Sequence, residues 1–157
     1  MNKQNFYDLN FNQLKNFLVN KVNIDANKAK MRAQQMFNAV YKKNIKNFDE
    51  LTTFGLELRK KIKDQISLTK PKIVDIQKSK DGTIKFLLEL KDKRNVETVL
   101  IPDKTQSRYT ICLSVSVGCF LSCEFCATAQ ISKKLVRNLS PGEIICQIIL
   151  CKDYIND

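Results

Sequence analysis

Three cysteines lie close together in the second half of the chain, in the stretch GCFLSCEFCATAQ that runs from Gly118 to Gln130. Cys119, Cys123 and Cys126 are spaced four and then three residues apart, and the 157-residue chain contains no histidine. Three thiols at this density suit a soft metal centre, because thiolates select soft metals and iron–sulfur clusters. The spacing therefore predicts a loop that binds a metal ion or an inorganic cluster.

All six cysteines of the chain lie between Cys112 and Cys151. Small secreted proteins held by disulfides spread their cysteines along the chain, so this clustering favours metal or redox chemistry over a disulfide framework. No apolar run approaches the roughly 20 residues that a membrane helix needs, and the first residues lack the apolar segment of a secretory signal. We therefore expect a globular, cytoplasmic protein with no membrane partner.

Two kinds of centre fit the three cysteines. A structural zinc site closes with four ligands, and the fourth would have to be Cys112, Cys146, Cys151 or a carboxylate. An iron–sulfur cube held by three cysteines leaves one iron open, and an open coordination position is where chemistry takes place. Both interpretations stay open from the residues alone: a catalytic cluster, or a non-catalytic loop that binds zinc or nothing.

The net charge of +11 is concentrated upstream of the cysteines. Residues 1–110 carry 23 Lys and Arg against 12 Asp and Glu, whereas residues 111–157 carry four of each kind. A basic first part beside a neutral second part indicates a module that binds a polyanion, of which nucleic acid is the commonest. The alternative is that the lysines are only a solvated surface.

Apolar spacing predicts helices in the first part of the chain and strands after Pro71. A first helix is expected over about 11–22, with Asn10 as the cap, and a third over about 56–66. Between them a second helix is expected after Asp25, with an apolar face that extends to Tyr41. Two-residue alternation then predicts a strand over 84–90, paired through the Asp81–Gly82 turn with a strand near 73–76, and a third strand over 96–101. The residues upstream of the cysteines thus predict helices followed by a small antiparallel sheet.

Glu97 is the acidic residue of the third predicted strand. It shares a strand face with Val99 and Ile101, so either the side chain points into apolar surroundings or the whole set faces solvent. A buried carboxyl group would have a raised pKa, which suits a proton acceptor. An exposed edge glutamate is the alternative.

A strand-like run from Tyr109 to Val117 leads directly into the cysteine loop, and a helix begins after it at Ser140. The sequence Ser140-Pro141-Gly142-Glu143 combines a cap, a first-turn proline and a capping-box glutamate. A strand, a ligand-bearing loop and a helix in this order form the opening unit of an α/β barrel or a doubly wound sheet.

The residues around the loop resemble a known enzyme family. C-x3-C-x2-C after a strand is similar to the cluster motif of radical S-adenosylmethionine (SAM) enzymes, and TICLSVSVGCFLSCEFCATAQ followed by RNLSPGEIICQ resembles the RlmN and Cfr RNA methyltransferases. The upstream segments KAKMRAQQMFNAVYKKNIKNFDELT and VETVLIP resemble the same family, so the likeness spans nearly the whole chain.

The resemblance implies a role for each candidate site residue. Cys119, Cys123 and Cys126 would hold a 4Fe–4S cluster whose open iron binds SAM, Glu97 would be the proton acceptor, and Cys112 would form a transient disulfide with a methyl-carrying cysteine. Cys146 and Cys151 match no functional position and are expected on the inner face of the last helix. Ile145, Ile148 and Ile149 are expected on the same face.

The resemblance also implies substrates and partners. The expected reaction is radical methylation of carbon 2 of an adenine in 23S ribosomal RNA and tRNA, with carbon 8 as the alternative. An electron donor such as flavodoxin or ferredoxin would supply the reducing electron. The target adenine must leave its stack to reach the site, which is consistent with a basic helical module that grips RNA.

The expected architecture has three parts. Residues 1–70 form a basic helical accessory domain of three helices and residues 71–104 a small antiparallel β segment. Residues 105–157 form the first β/α unit of a truncated radical SAM α/β barrel. A complete barrel takes on the order of 200 residues or more, so the chain is interpreted as an amino-terminal fragment that is inactive alone.

Overall fold

The computed structural model describes residues 3–103, 105, 108–119, 121, 123–125 and 134–156. The chain divides into two compact units, Met1–Thr69 and Lys70–Asp157. None of the helices within the described ranges has both the length and the apolar composition that a membrane span requires.

The first unit is mainly helical. It contains strand β1 (Gln4–Asn5), helices α1 (Phe11–Asn20), α2 (Ala26–Phe37) and α3 (Leu56–Gln65), and strand β2 (Ile66–Ser67). Short 3₁₀ turns lie at Phe6–Asp8 and Phe48–Glu50, and a π-helical turn at Asn38–Lys42 follows α2. Strands β1 and β2 pair in parallel, so the two ends of this unit meet.

An aromatic cluster fills the centre of the first unit. The Phe6 ring is fully buried and lies 5.4 Å from the Phe37 ring and 5.8 Å from the Tyr41 ring, measured between centroids. Aromatic pairs at this separation add to the stability that burial alone provides. The three helices and β2 contribute further fully buried side chains, Leu14, Leu18, Ala29, Ala33, Met36, Ile62 and Ile66, and the segment before α3 contributes Phe54.

The predicted start of α1 is confirmed, and α2 begins directly after Asp25, as predicted. Asn10 Oδ1 accepts a hydrogen bond from the Gln13 backbone N–H, and Gln13 Oε1 accepts one from the Asn10 N–H, both at 2.9 Å. The α-helical part of the second helix ends at Phe37, and the segment up to Lys42 adopts the wider π-helical turn. The apolar pattern continues through this turn, so it gives no sign of the change.

The second unit is built on an antiparallel sheet with strand order β3-β4-β5-β6. The strands are β3 (Lys72–Lys78), β4 (Ile84–Glu89), β5 (Asn95–Asp103) and β6 (Arg108–Cys112). Gly82 has φ +92° in the turn between β3 and β4, a conformation that side chains disfavour, so the predicted Asp81–Gly82 hairpin is confirmed. A separate pair follows, formed by β7 (Ser116–Val117) and β8 (Arg137–Asn138), before helix α4 (Pro141–Asn156).

One face of this sheet carries the core of the second unit. The side chains of Ile84, Phe86 and Leu88 alternate into it, as the two-residue period predicts. Tyr154 of α4 packs edge-on against Phe86, with 5.1 Å between the ring centroids. The remaining members of this core are Ile73, Leu90, Val96, Leu100, Ile111, Val117, Leu139, Ile144, Leu150 and Cys151.

The predicted continuous strand from Tyr109 to Val117 is wrong. Its first part is β6, which completes the antiparallel sheet beside β5, and its last two residues are β7, which pairs with β8 instead. Residues 113–115 between them belong to no strand. The backbone of Ser114 is bound by the side chain of Gln147, a contact between distant residues that local periodicity does not reveal.

Helix α4 begins with the predicted capping box. Ser140 Oγ accepts a hydrogen bond from the Glu143 N–H at 3.2 Å, and a Glu143 carboxylate oxygen accepts one from the Ser140 N–H at 2.8 Å. Cys146 and Cys151 are buried, as predicted, but Ile148 is 37% exposed and does not share their face. The helix packs on the sheet through Ile144, Leu150 and Tyr154, because these side chains lie on the side of α4 that contains Cys151.

Candidate functional site

The cysteine loop leaves and re-enters the fold through the β7–β8 pair. Ser116 pairs with Asn138 and Val117 with Arg137, so the two ends of the loop lie side by side. Gly118 follows β7 directly and has φ +74°, where a side chain would be strained. A glycine at this position turns the chain sharply into the loop.

Two of the three predicted cluster ligands lie within the described part of this loop. Cys119 and Cys123 are free thiols and are both partly exposed. Cys126 lies outside the described residues, and those residues contain no group of three ligating side chains that could hold a metal ion. Two accessible thiols on one loop fit the soft donor set that an iron–sulfur cluster or a zinc ion requires.

Glu97 and Cys112, the two predicted catalytic residues, lie on the same face of the antiparallel sheet. Cys112 is paired with Val99 across β5 and β6, and Glu97 is two residues from Val99 along β5. Residues in this diagonal relation have Cα atoms about 7–8 Å apart, within reach of longer side chains. The register therefore brings the carboxylate and the thiol together on one surface.

This surface is the exposed face of the sheet. The alternate residues Val96, Thr98 and Leu100 are buried, so Glu97 points away from the core and its side chain is 53% exposed. The Lys85 ammonium lies 3.0 Å from a Glu97 carboxylate oxygen.

Of the two sequence interpretations of Glu97, the exposed one is confirmed. Burial among apolar residues is wrong because α4 covers the opposite face of the sheet. The residue is also not on an edge strand, since β5 lies between β4 and β6.

Arg137 links the loop exit to two neighbouring elements, which the sequence analysis did not predict. Its guanidinium donates two hydrogen bonds of 2.8 Å to the Glu143 carboxylate and one of 2.8 Å to Asp92, in the turn after β4. These hydrogen bonds hold the pKa values of Glu143 and Asp92 below their ordinary range and raise the pKa of Arg137. The sequence indicates this ion pair only through the spacing of Arg137, which lies six residues before the capping-box glutamate.

Gln147 is a second residue that the sequence analysis missed. It is completely buried on α4, and its Oε1 accepts hydrogen bonds from Thr98 Oγ1 at 2.7 Å and from the Ser114 N–H at 2.9 Å. Its Nε2 donates to the Ser114 carbonyl at 2.9 Å and to the Glu143 carbonyl at 3.2 Å. A polar residue on an otherwise apolar helix face was the available signal.

The remaining cysteines do not belong to the loop. Cys146 and Cys151 are both buried in the second unit, and burial raises the pKa of the Cys151 thiol to about 11. A thiol in such surroundings is inert, because the reactive thiolate is disfavoured. Among the described residues, the accessible thiols are therefore those of Cys112, Cys119 and Cys123, whereas Cys146 and Cys151 are inaccessible.

The first unit presents a basic surface that is separate from the cysteine loop in sequence. Its exposed lysines include Lys28, Lys30, Lys42, Lys43, Lys60 and Lys61. The guanidinium of Arg32 on α2, by contrast, lies 4.8 Å from the centre of the Phe54 ring and donates to the Thr53 carbonyl. Arg32 therefore also packs against this unit, whereas the lysines are accessible to a polyanion.

Comparison with known proteins matches both halves of the chain. Residues 4–68 match the family model of the ribosomal RNA large subunit methyltransferase N-terminal domain. Over 150 residues the chain is 39% identical to the dual-specificity RNA methyltransferase RlmN of Oleidesulfovibrio alaskensis, which covers 96% of the chain. It is 41% identical over 134 residues to the protein of the same name from Novosphingobium aromaticivorans, over 85% of the chain.

A solved structure also resembles the chain. A radical SAM methyltransferase from Sphaerobacter thermophilus covers 98% of the chain at 30% identity, with a TM-score of 0.81. The mixed α/β fold with small sheets therefore occurs in a radical SAM methyltransferase. The chain spans about 40% of the length of the Oleidesulfovibrio relative and 42% of the solved structure.

Proposed function

Because this chain belongs to the RlmN family of radical SAM RNA methyltransferases, we propose that it contributes the cluster-binding and RNA-binding parts of an enzyme that methylates carbon 2 of adenine in 23S rRNA and tRNA. The observation that carries this proposal is the placement of Glu97 and Cys112 on one exposed sheet face, in the strands that lead to the cysteine loop. In this proposal β7, the loop and α4 are the opening unit of the barrel.

Cys119, Cys123 and Cys126 would hold a 4Fe–4S cluster in this proposal. When bound, the cluster and SAM supply the radical chemistry that an aromatic carbon without nucleophilic character requires. The accessibility of Cys119 and Cys123 supports this assignment, because thiols that ligate a cluster must be free and open to iron. Three ligands leave the fourth coordination position to SAM.

Glu97 and Cys112 would act on the adenine and its adduct. The exposed Glu97 carboxylate would take the proton that carbon 2 loses when the methyl group has been added. Cys112 is exposed and free, so its thiol can give up its proton and attack the sulfur of the methyl-carrying cysteine. The disulfide bond would form as the bond between that sulfur and the added carbon breaks, and the carbon would take up a proton to become the methyl group of the released base. Lys85, at 3.0 Å from Glu97, would hold the carboxylate in place until the base arrives.

The first unit would bind the RNA backbone. Exposed lysines on α2, α3 and the π-helical turn supply charges that displace counterions from phosphates, a contribution that does not depend on base sequence. The match of residues 4–68 to the N-terminal domain model supports this role. Base recognition is left to the sheet face that carries Glu97 and Cys112.

Anaerobic reconstitution with iron and sulfide tests the proposal. We expect about four irons per chain and a broad absorption near 400 nm that SAM alters, since SAM would bind the open iron. The variant Cys119→Ser should lose the absorption, whereas the buried-cysteine variant Cys151→Ala should keep it. One tightly held zinc per chain, or no metal, would contradict the proposal.

Two further parts of the proposal concern the whole reaction. The chain covers 40% of the length of the Oleidesulfovibrio relative and 30% of the Novosphingobium relative, and we propose that it does not methylate RNA by itself. The reaction would take place in the cytoplasm with flavodoxin or ferredoxin as electron donor. Adenine methylation by the 157-residue chain with SAM and a reductant would contradict the first of these statements.

A further inference from the structure

The Gln147 side chain uses its full hydrogen-bonding capacity inside the second unit. A primary amide has two donor hydrogens and one oxygen that accepts two bonds. Gln147 donates to the carbonyl groups of Ser114 and Glu143 and accepts from the Thr98 hydroxyl and the Ser114 N–H. A buried amide with every position satisfied fixes its partners strongly, because losing any bond leaves a polar group buried without a partner.

These partners lie next to the two predicted catalytic residues. Thr98 adjoins Glu97 on β5, and its side chain points to the opposite, buried face of the sheet. Ser114 lies two residues after Cys112, at the point where pairing between β5 and β6 has ended. Gln147 therefore binds both the strand that carries Glu97 and the segment that continues from Cys112.

Ser114 also contacts Glu97 directly, in addition to its contacts with Gln147. Its Oγ donates a hydrogen bond of 2.7 Å to the Glu97 carbonyl oxygen. The Gln147 amide binds both the N–H and the carbonyl of Ser114, as a neighbouring strand would. The residues that follow Cys112, as far as Ser114, are thereby held beside Glu97 although the regular strand pairing ends at Cys112.

We propose that Gln147 is a positioning residue. By binding Thr98 and Ser114 together it holds the last pair of the β5–β6 ladder, Val99 with Cys112, and so fixes the separation of Glu97 and Cys112. It acts from the buried face of the sheet, whereas Glu97 and Cys112 act on the exposed face. The inference rests on the proposed function only for the roles of these two residues. The geometric claim about their separation is independent of it.

Chemical cross-linking tests the geometric claim. In a chain with Cys119→Ser, Cys123→Ser and Cys126→Ser, the change Glu97→Cys creates a thiol beside Cys112. A bis-methanethiosulfonate reagent with a two-carbon bridge then joins these two thiols at a rate that depends on their separation. Cys146 and Cys151 are buried and stay unmodified.

We expect Gln147→Met, which keeps the length of the side chain and removes its hydrogen bonds, to slow the cross-link at least threefold. The matched control is Cys151→Ala, which disturbs the same helix and core without touching the network. It should leave the rate within experimental error when both variants are compared at temperatures where they are fully folded. An unchanged rate in Gln147→Met, or an equal decrease in Cys151→Ala, would overturn the proposal.

Two variants that each remove a single hydrogen bond test the same proposal if Gln147→Met does not fold. Ser114→Ala removes the bond to the Glu97 carbonyl, and Thr98→Val removes one bond to Gln147. Both should slow the cross-link, and an unchanged rate in both would overturn the proposal. The measurement needs no iron, SAM or RNA, so a failure of cluster uptake is recorded separately from a failure of positioning.

Discussion

Glu143 combines two roles in a single carboxylate, since it completes the capping box of α4 and accepts both hydrogen bonds of the Arg137 fork. The hydrogen bonds from Arg137 hold its pKa below the ordinary value of 4.5. A carboxyl group whose pKa is lowered by folding stabilises the fold at pH values above its pKa in the unfolded chain. That stabilisation is lost as the pH falls from this pKa through the lower pKa of the folded chain.

We therefore predict that Glu143→Gln lowers the melting temperature of the chain at pH 6 to 7. The amide keeps the shape of the side chain but loses the charge that pairs with Arg137. The difference from the unmodified chain should shrink as the pH falls below about 4.5, because the carboxyl group of the unfolded chain then becomes protonated. Thermal melts followed by circular dichroism between pH 3 and 7 measure this difference.

Asp64→Asn serves as the control, because Asp64 is an exposed carboxylate on α3. Its removal should change the melting temperature little at any pH in this range. A constant difference between the Glu143→Gln variant and the unmodified chain from pH 7 to pH 3 would contradict the role given to the Arg137 pair.

At the scale of single elements, the helix caps were predictable because they depend on neighbouring residues. Asn10 with Gln13 and Ser140 with Glu143 each form the predicted reciprocal pair. The alternation of β4 was equally clear, since its buried residues face one continuous core.

Features that depend on distant residues were not predictable in the same way. The face of β5 that is buried is decided by α4, which begins 38 residues after the end of β5. The break between β6 and β7 coincides with the contacts of Gln147. The sequence therefore proposes the residues of the candidate site, but it leaves the exposure of Glu97 open between two interpretations and does not indicate the residues that support the site.

The cap of α1 gives a prediction at this scale. Asn10→Ala removes the side-chain oxygen that accepts the Gln13 N–H, and we expect a loss of about 1 kcal/mol in the free energy of unfolding. Asn16→Ala makes the same substitution at an exposed position inside the helix, where alanine is the better helix former. Urea unfolding should show a loss for the first variant and no loss for the second. Equal effects would contradict the role of the cap.

At the scale of the whole molecule, the charge distribution predicts how RNA binding responds to salt. Each phosphate contact that a lysine makes with single-stranded RNA contributes about 0.7 to the slope of log affinity against log salt concentration. The double variant Lys60→Gln with Lys61→Gln should bind an RNA oligonucleotide more weakly and reduce this slope by about 1.4. Fluorescence anisotropy at several salt concentrations measures both quantities.

Lys63→Gln is the matched control on the same helix, because the Lys63 ammonium already pairs with Asp49 at 2.7 Å. It should reduce affinity and slope less than removal of either Lys60 or Lys61. An affinity that does not change between low and moderate salt would contradict a binding role for the basic surface.

The burial of Cys146 and Cys151 has a consequence for the order of assembly. In the proposed cluster-binding function, an unfolded chain offers six equivalent thiols to iron, and wrong combinations of three outnumber the productive one. Once α4 has packed onto the sheet, Cys146 and Cys151 are buried and can no longer bind iron. Of the accessible thiols in the described residues, Cys119 and Cys123 lie in the cysteine loop and Cys112 lies in β6. Folding of the second unit should therefore precede metal insertion, so that maturation acts on a chain whose incorrect ligands are already hidden.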